Sequence, residues 1–231
     1  VDARFGWDVK INRAGTVIAV ALRKPIGLFD SEGGIQTFAW NGTDWIEYGG
    51  GNQMYGDGDI HYMGNHNDFG ESGISMNHDG TIIAAGCKDF SYVKVWKFSD
   101  STNFLSNGYT LRGSQINGLT TSEQSGRSVS INSDGTVVAI GAYANNSNRG
   151  TTRIYEWNGT AWALKGNQID GLISGDNSGI SVSINSTGTI VAIGAFLNDE
   201  GPGSNAGTTR IYEWNGTCLL YTSDAADDGI R

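Results

Sequence analysis

Proline and cysteine are the scarcest informative residues in this chain, 2 of each in 231. Two cysteines cannot build a disulfide framework, and they leave the redox compartment undecided. Basic residues are outnumbered, 15 Lys and Arg against 24 Asp and Glu, for a net charge of −9. That balance argues against nucleic-acid binding, which wants a basic patch. No apolar stretch approaches the length of a membrane span, and no segment sustains a helical period. The G-x-S-x-G elbow, the phosphate loop and the zinc-protease signature are all missing. Glycine, by contrast, is abundant at 35 residues. The glycines fall at regular places, which suits tight turns and not a low-complexity linker.

That regularity is a repeat. Asn-x-x-Gly-Thr occurs four times, at Asn12–Thr16, Asn77–Thr81, Asn132–Thr136 and Asn185–Thr189, each followed by an apolar run rich in alanine. The repeat glycines are 65, 55 and 53 residues apart, a period that signals a repeat architecture. The third copy is the clearest. Ser128-Val129-Ser130-Ile131 alternates as a half-buried strand does. Asn132-Ser133-Asp134-Gly135 has the residues of a tight hairpin. Val137–Ala142 reads as a strand covered on both faces. After a polar loop come Thr151–Trp157, an Asn158-Gly159 turn and Ala161–Lys165. Four strands in about 50 residues match one blade of a β-propeller. The expected fold is therefore all-β, a partial β-propeller of about four four-stranded antiparallel blades forming an open arc. Blades are expected over 5–60, 70–118 and 125–170, with an incomplete, three-stranded last blade over 179–217. The recurring tryptophans and tyrosines of the third and fourth strands read as filling between blades, with a sugar-stacking platform as the alternative.

After Thr217 the repeat stops. Cys218–Arg231 resembles one reading frame of a sequencing-library adapter, so 218–231 is expected to be a non-native tail outside the fold. With Val1 in place of a methionine, the natural sequence is expected to be a fragment at both ends, assembled from environmental reads. Without the tail only Cys87 remains, expected as a small core residue.

Phe5-Gly6 opens the first copy and Phe69-Gly70 the second, while second strands end in Gly141-Ala142-Tyr143 and Gly194-Ala195-Phe196. These residues resemble the FG-GAP repeat of integrin-α-type β-propellers, over about 1–217. Later copies depart from it, with Ser125-Gly126 and Ser178-Gly179 for Phe-Gly, and Tyr143 or Phe196 where the family has proline. The resemblance implies a large secreted or cell-surface protein and an extracellular location. It also implies calcium in the hairpin between first and second strands. The matching positions are Ser130, Asn132, Asp134 and Val138 in the third copy. In the fourth they are Ser183, Asn185, Thr187 and Val191, and in the first Lys10, Asn12, Ala14 and Ile18. Carboxylates are nearly gone from these sets, so no metal and no other cofactor is expected.

The expected function is a non-catalytic scaffold for protein interaction or adhesion, with no catalytic residues and no membrane insertion by this segment. A carbohydrate-binding propeller is the alternative, and part of a propeller enzyme a third. The ligand, protein or glycan, is expected on loops that differ between copies, at Tyr55, Tyr62, Tyr143, Asn145, Arg149, Asn198, Asp199 and Glu200. The carboxylates of Asp57, Asp59, Asp199 and Glu200 read as solvated loop charges, and His61, His66 and His78 as structural or exposed. Asn-x-Ser/Thr triplets occur at Asn41, Asn145, Asn158, Asn185 and Asn215, three of them inside Asn-Gly turns.

Overall fold

The computed structural model describes residues 5–22, 34–48, 54–55, 73–98, 108–198 and 206–224. Four antiparallel sheets follow one another along the chain. The first is β1 (Phe5–Ile11), β2 (Val17–Leu22), β3 (Gly34–Trp40) and β4 (Trp45–Tyr48), with a short β5 (Met54–Tyr55) also pairing with β3. The second is β6 (Ile74–Met76), β7 (Ile82–Cys87), β8 (Tyr92–Phe98), β9 (Tyr109–Leu111) and β10 (Ile116–Asn117). The third is β11 (Ser128–Ile131), β12 (Val137–Ala142), β13 (Thr151–Trp157), β14 (Trp162–Leu164) and β15 (Ile169–Asp170). The fourth is β16 (Ser181–Ile184), β17 (Ile190–Ala195), β18 (Thr208–Trp214) and β19 (Leu219–Asp224). The fold is all-β, and the short fifth strand of the first three sheets is an addition to the four-strand plan.

The repeat motif folds locally for a plain reason. The side-chain oxygen of Asn132 accepts from the amides of Thr136 and Val137, both at 2.9 Å, closing the hairpin between β11 and β12. Asn12 and Asn185 do the same for their copies, and Asn77 caps the amide of Ile82 at 2.9 Å. The hairpin glycines bond back to the asparagine carbonyl at positive φ, 70° to 83°, where a side chain is strained. At the far turns Asn41, Asn158 and Asn215 cap two amides each, followed by glycines near φ 100°.

Sheets stack face to face, inner strand on inner strand, β1 on β6, β6 on β11 and β11 on β16. Three apolar clusters fill the three gaps. The middle one joins Ile82, Ala84, Val93 and Val95 of the second sheet to Val129, Ile131, Val138 and Ile140 of the third. Burial of such side chains stabilises by roughly 1.5–3 kcal/mol each, which makes the gaps the main source of cohesion. Glycine sets the spacing. A methyl on Gly86 would lie 1.9 Å from the carbonyl oxygen of Gly126, and one on Gly141 would lie 1.9 Å from that of Gly179. Tryptophans close the outer part of the gaps. Arg112 lies over Trp157 and Trp162, at 4.9 and 5.7 Å from the ring centroids, and Lys165 lies 5.3 Å over Trp214. Cys87 is buried and free, its thiol pushed up to about 11 mainly by burial.

The fourth sheet corrects one expectation. Residues after Thr217 do not match the repeat, yet Leu219–Asp224 pairs along β18 as a fourth strand. A ladder needs only amides and carbonyls, which any non-proline residue supplies. The side chains show the mismatch: Leu219 joins the apolar cluster, Leu220 and Tyr221 are half exposed, and the register slips between Ile211 and Tyr212.

Candidate functional site

A groove of about 440 Å³ runs along the inner strands of all four sheets. Its lining follows the repeat register. Five, four and two residues before the hairpin asparagine stand Trp7, Asp8 and Lys10 in the first copy, and Arg127, Ser128 and Ser130 in the third. The second copy contributes Gly73 and Ser75, and the fourth Ile180 and Ser181. Ile74, Val129 and Val182 also border the groove, with the buried side chains of Ile74 and Val129 packed into the gaps.

Most polar groups of the groove are engaged. Asp8 accepts from Lys10 Nζ at 2.6 Å through Oδ1 and from the amide of Ile74 at 3.0 Å through Oδ2. The hydroxyl oxygens of Ser75 and Ser130 accept the amides of Ile131 and Ile184, each at 3.0 Å, and Ser128 donates to the carbonyl of Gly179 at 2.8 Å. These bonds tie each inner strand to the next. The Arg127 guanidinium is half-buried and makes no hydrogen bond or ion pair among the described residues. Trp7 is 43% exposed. A guanidinium left unpaired among the described residues in a polar groove suits a ligand with an acceptor group. No hydroxyl there is poised beside a base among the described residues.

The loop candidates sit elsewhere. Tyr143 is half-buried and donates to Gln124 Oε1 at 2.7 Å. Asn145 and Arg149 flank a turn in which Asn146, Ser147 and Asn148 all have left-handed φ. Carbonyls of that turn accept from the loop entering the fourth sheet, Ser147 from Gly175, Asn148 from Asn177 and Arg149 from Ser178. The loop is thus a clasp between blades. Asn198 is 1% exposed and donates to Asp176 Oδ2 at 3.0 Å, so its side chain is withdrawn from solvent instead of offered to a ligand. For Tyr55 only the backbone is described, in β5. Tyr62, Asp199 and Glu200 lie outside the described residues, as do His61 and His66. None of the described loop candidates lines the groove.

In the third hairpin, compared above with a calcium loop, Asp134 Oδ1 accepts from the amide and hydroxyl of Thr136, and in the second Asp79 Oδ1 accepts from those of Thr81. Burial alone would raise both carboxyls, but these hydrogen bonds outweigh it and hold both below the usual carboxylate range. Among the described residues no three His, Cys, Asp or Glu side chains gather as a metal set.

The groove was hidden from sequence reasoning because its residues look like ordinary strand alternation. The available signal was register: Lys10 stands where the other copies have Ser75, Ser130 and Ser183.

Sheets stacked around shared inner strands are the blades of a β-propeller, and four of them make an open arc. No protein-family profile matches the chain, and no curated protein matches it. Solved structures do. A protein of Bacteroides fragilis provisionally named a 6-phosphogluconolactonase matches with a TM-score of 0.59 at 12% identity, over 98% of this chain and 56% of that one. KlAtg21, solved with the coiled coil of AgAtg16, matches at 0.58 and 12% identity, over 99% and 59% of the two chains. The β-propeller domain of Cps50 (Swd1) from Myceliophteria thermophila matches at 0.51 and 11% identity, over 83% and 50%. The chain spans between half and three fifths of the length of these structures. At such identities they show the fold alone.

Proposed function

We propose that the chain is a non-catalytic β-propeller scaffold of the FG-GAP type, a part of a larger secreted or cell-surface protein, and that it holds a protein or glycan ligand in the inner-strand groove. The observation that carries this reading is the Arg127 guanidinium, which makes no hydrogen bond or ion pair among the described residues, in a groove where Asp8, Ser75, Ser128 and Ser130 are spent joining blades. A catalytic groove would keep a nucleophile and base within reach of each other; among the described residues this one offers a cation. The FG-GAP assignment draws support from the second residue of the pattern. Gly6, Gly126 and Gly179 all have φ near 90°, and the latter two sit where the preceding blade approaches most closely. KlAtg21, which shares the fold, is a precedent for binding a coiled coil; the groove here leaves protein and glycan both open.

An array of immobilised glycans and a peptide library, probed with the 231-residue chain, tests the reading. Binding should be lost in Trp7→Ala and Arg127→Ala and kept in Tyr143→Phe. Turnover of 6-phosphogluconolactone, abolished by either groove substitution, would overturn it.

A further inference from the structure

Hydrogen bonding in the groove is one-sided. Asp8, the one carboxylate among its described lining residues, is fully engaged. Its Oδ1 accepts from Lys10 Nζ at 2.6 Å and from the Val9 amide at 2.8 Å, and its Oδ2 from the Ile74 amide at 3.0 Å. Ser75 and Ser130 are engaged only as acceptors. Each oxygen takes an amide of the next inner strand, Ile131 or Ile184, and a hydroxyl that accepts still carries its own proton. Neither proton has an acceptor among the described residues. Together with the Arg127 guanidinium they leave the groove rich in unused donors. Arg127 and Ser130 stand on the third blade and Ser75 on the second, and apolar clusters cover both blades on either side within this chain.

Charge points the same way. Lys10 and Arg127 against Asp8 leave one surplus positive charge in the groove of a chain whose net charge is −9. A guanidinium takes an oxyanion in a two-pronged bond, while the surrounding negative charge repels a polyanion. One anionic group on an otherwise neutral ligand satisfies both. The strand edges then separate peptide from sugar. An extended peptide docks on a sheet edge by pairing with its free amides. Here the amides of Ile74, Ile131 and Ile184 are already taken by Asp8, Ser75 and Ser130 of the preceding blade. A sugar needs no such ladder, because its hydroxyl oxygens accept directly from the serine protons.

Taking the groove as the ligand site, we infer that its ligand is a sugar with a single oxyanion, a carboxylate or a sulfate ester. The oxyanion lies on Arg127, and the ring hydroxyls lie against Ser75 and Ser130.

Calorimetric titration of the 231-residue chain tests this. The probes are glucuronate and galacturonate, N-acetylglucosamine 6-sulfate, the neutral parents of all three, and a peptide with one glutamate. An acidic sugar should bind about tenfold or more tighter than its neutral parent, and the arm that binds tells carboxylate from sulfate. That preference should vanish in Arg127→Gln with an unchanged far-ultraviolet spectrum, persist in part in Arg127→Lys, and shrink as salt is raised. The double change Ser75→Ala with Ser130→Ala should weaken the acidic sugar further while its preference over the neutral parent stays. Equal affinity for acidic and neutral sugars, or a preference that survives Arg127→Gln, would overturn the inference. Unchanged affinity in the double serine variant would overturn the hydroxyl contacts. The peptide bound in place of every sugar, and lost in Arg127→Gln, would overturn the sugar while keeping the groove as the ligand site. Silence from every probe would overturn the acidic sugar, and silence from the glycan array and peptide library as well would overturn the groove.

Discussion

Arg153 and Glu123 meet across 30 residues of sequence in a two-pronged ion pair, Nη1 to Oε1 at 2.8 Å and Nη2 to Oε2 at 2.9 Å, with both side chains almost fully buried. Glu123 also accepts from the amide of Leu119 at 2.7 Å, so one carboxylate fixes both the loop entering the third blade and the blade's third strand. Removing one partner of such a pair leaves a buried, uncompensated charge. Glu123→Ala is therefore expected to cost about 3–5 kcal/mol in urea unfolding. The double change Glu123→Leu with Arg153→Met should cost less than either single truncation, because apolar replacement of a buried pair is often neutral. Additive losses in that cycle would show that the two residues do not act as a pair.

Close glycine contacts make a second prediction. A methyl on Gly141 meets backbone, the Gly179 carbonyl oxygen at 1.9 Å, while one on Gly194 meets only the Ser181 side chain. Gly141→Ala should lose about 2–3 kcal/mol by overpacking, and Gly194→Ala under about 1 kcal/mol in dilute solution, since a serine hydroxyl can rotate away. Equal losses in chemical unfolding would mean that blade approach does not limit this position.

Much of this was legible in the sequence. Asn132 and Gly135 announced their hairpin because a side-chain cap and a positive φ demand those residue types. The run Val137–Ala142 announced burial on both faces. The groove was not legible, because Trp7, Lys10 and Arg127 become neighbours only once blades stack, and nothing local marks that. Asn198 misled for a related reason: a polar residue in a loop looks solvated until the fold brings in its partner, Asp176, from 22 residues away in sequence. Leu219–Asp224 misled differently, since backbone pairing tolerates side chains that the repeat would not choose.

Acid should weaken the hairpins. Asp134 and Asp79 have carboxyls held low in the folded chain, so the stability they add is present above the unfolded carboxylate value and is lost as pH falls through the folded one. The unfolding midpoint should thus fall as pH drops below about 4. In Asp134→Asn, whose amide oxygen still accepts from Thr136, that acid limb should be shallower than in the parent chain. Asp134 is exposed, so the change is small and is best read by comparing the two slopes. An unchanged slope would mean that the Thr136 bonds do not favour the charged form.

The last prediction concerns the clasp between the third and fourth blades. Ser147 has φ 56° and ψ 45°, between Asn146 at φ 49° and Asn148 at φ 61°. Asparagine tolerates this region; the serine hydroxyl makes no hydrogen bond among the described residues and gains nothing in return. What the clasp uses is the Ser147 carbonyl, which accepts from the Gly175 amide at 3.2 Å and the Ser174 hydroxyl at 2.8 Å. Glycine keeps that carbonyl and removes the Cβ contact that makes left-handed backbone costly, by roughly 1–2 kcal/mol per residue. Its greater freedom in the unfolded chain offsets part of the gain. Ser147→Gly is therefore expected to stabilise by about 0.5–1 kcal/mol, and Ser147→Val to destabilise, because a β-branched side chain suits this conformation least. Urea midpoints of the three chains check the order Gly above Ser above Val. A destabilised glycine variant would show that the serine side chain, and not the carbonyl alone, holds the two blades together.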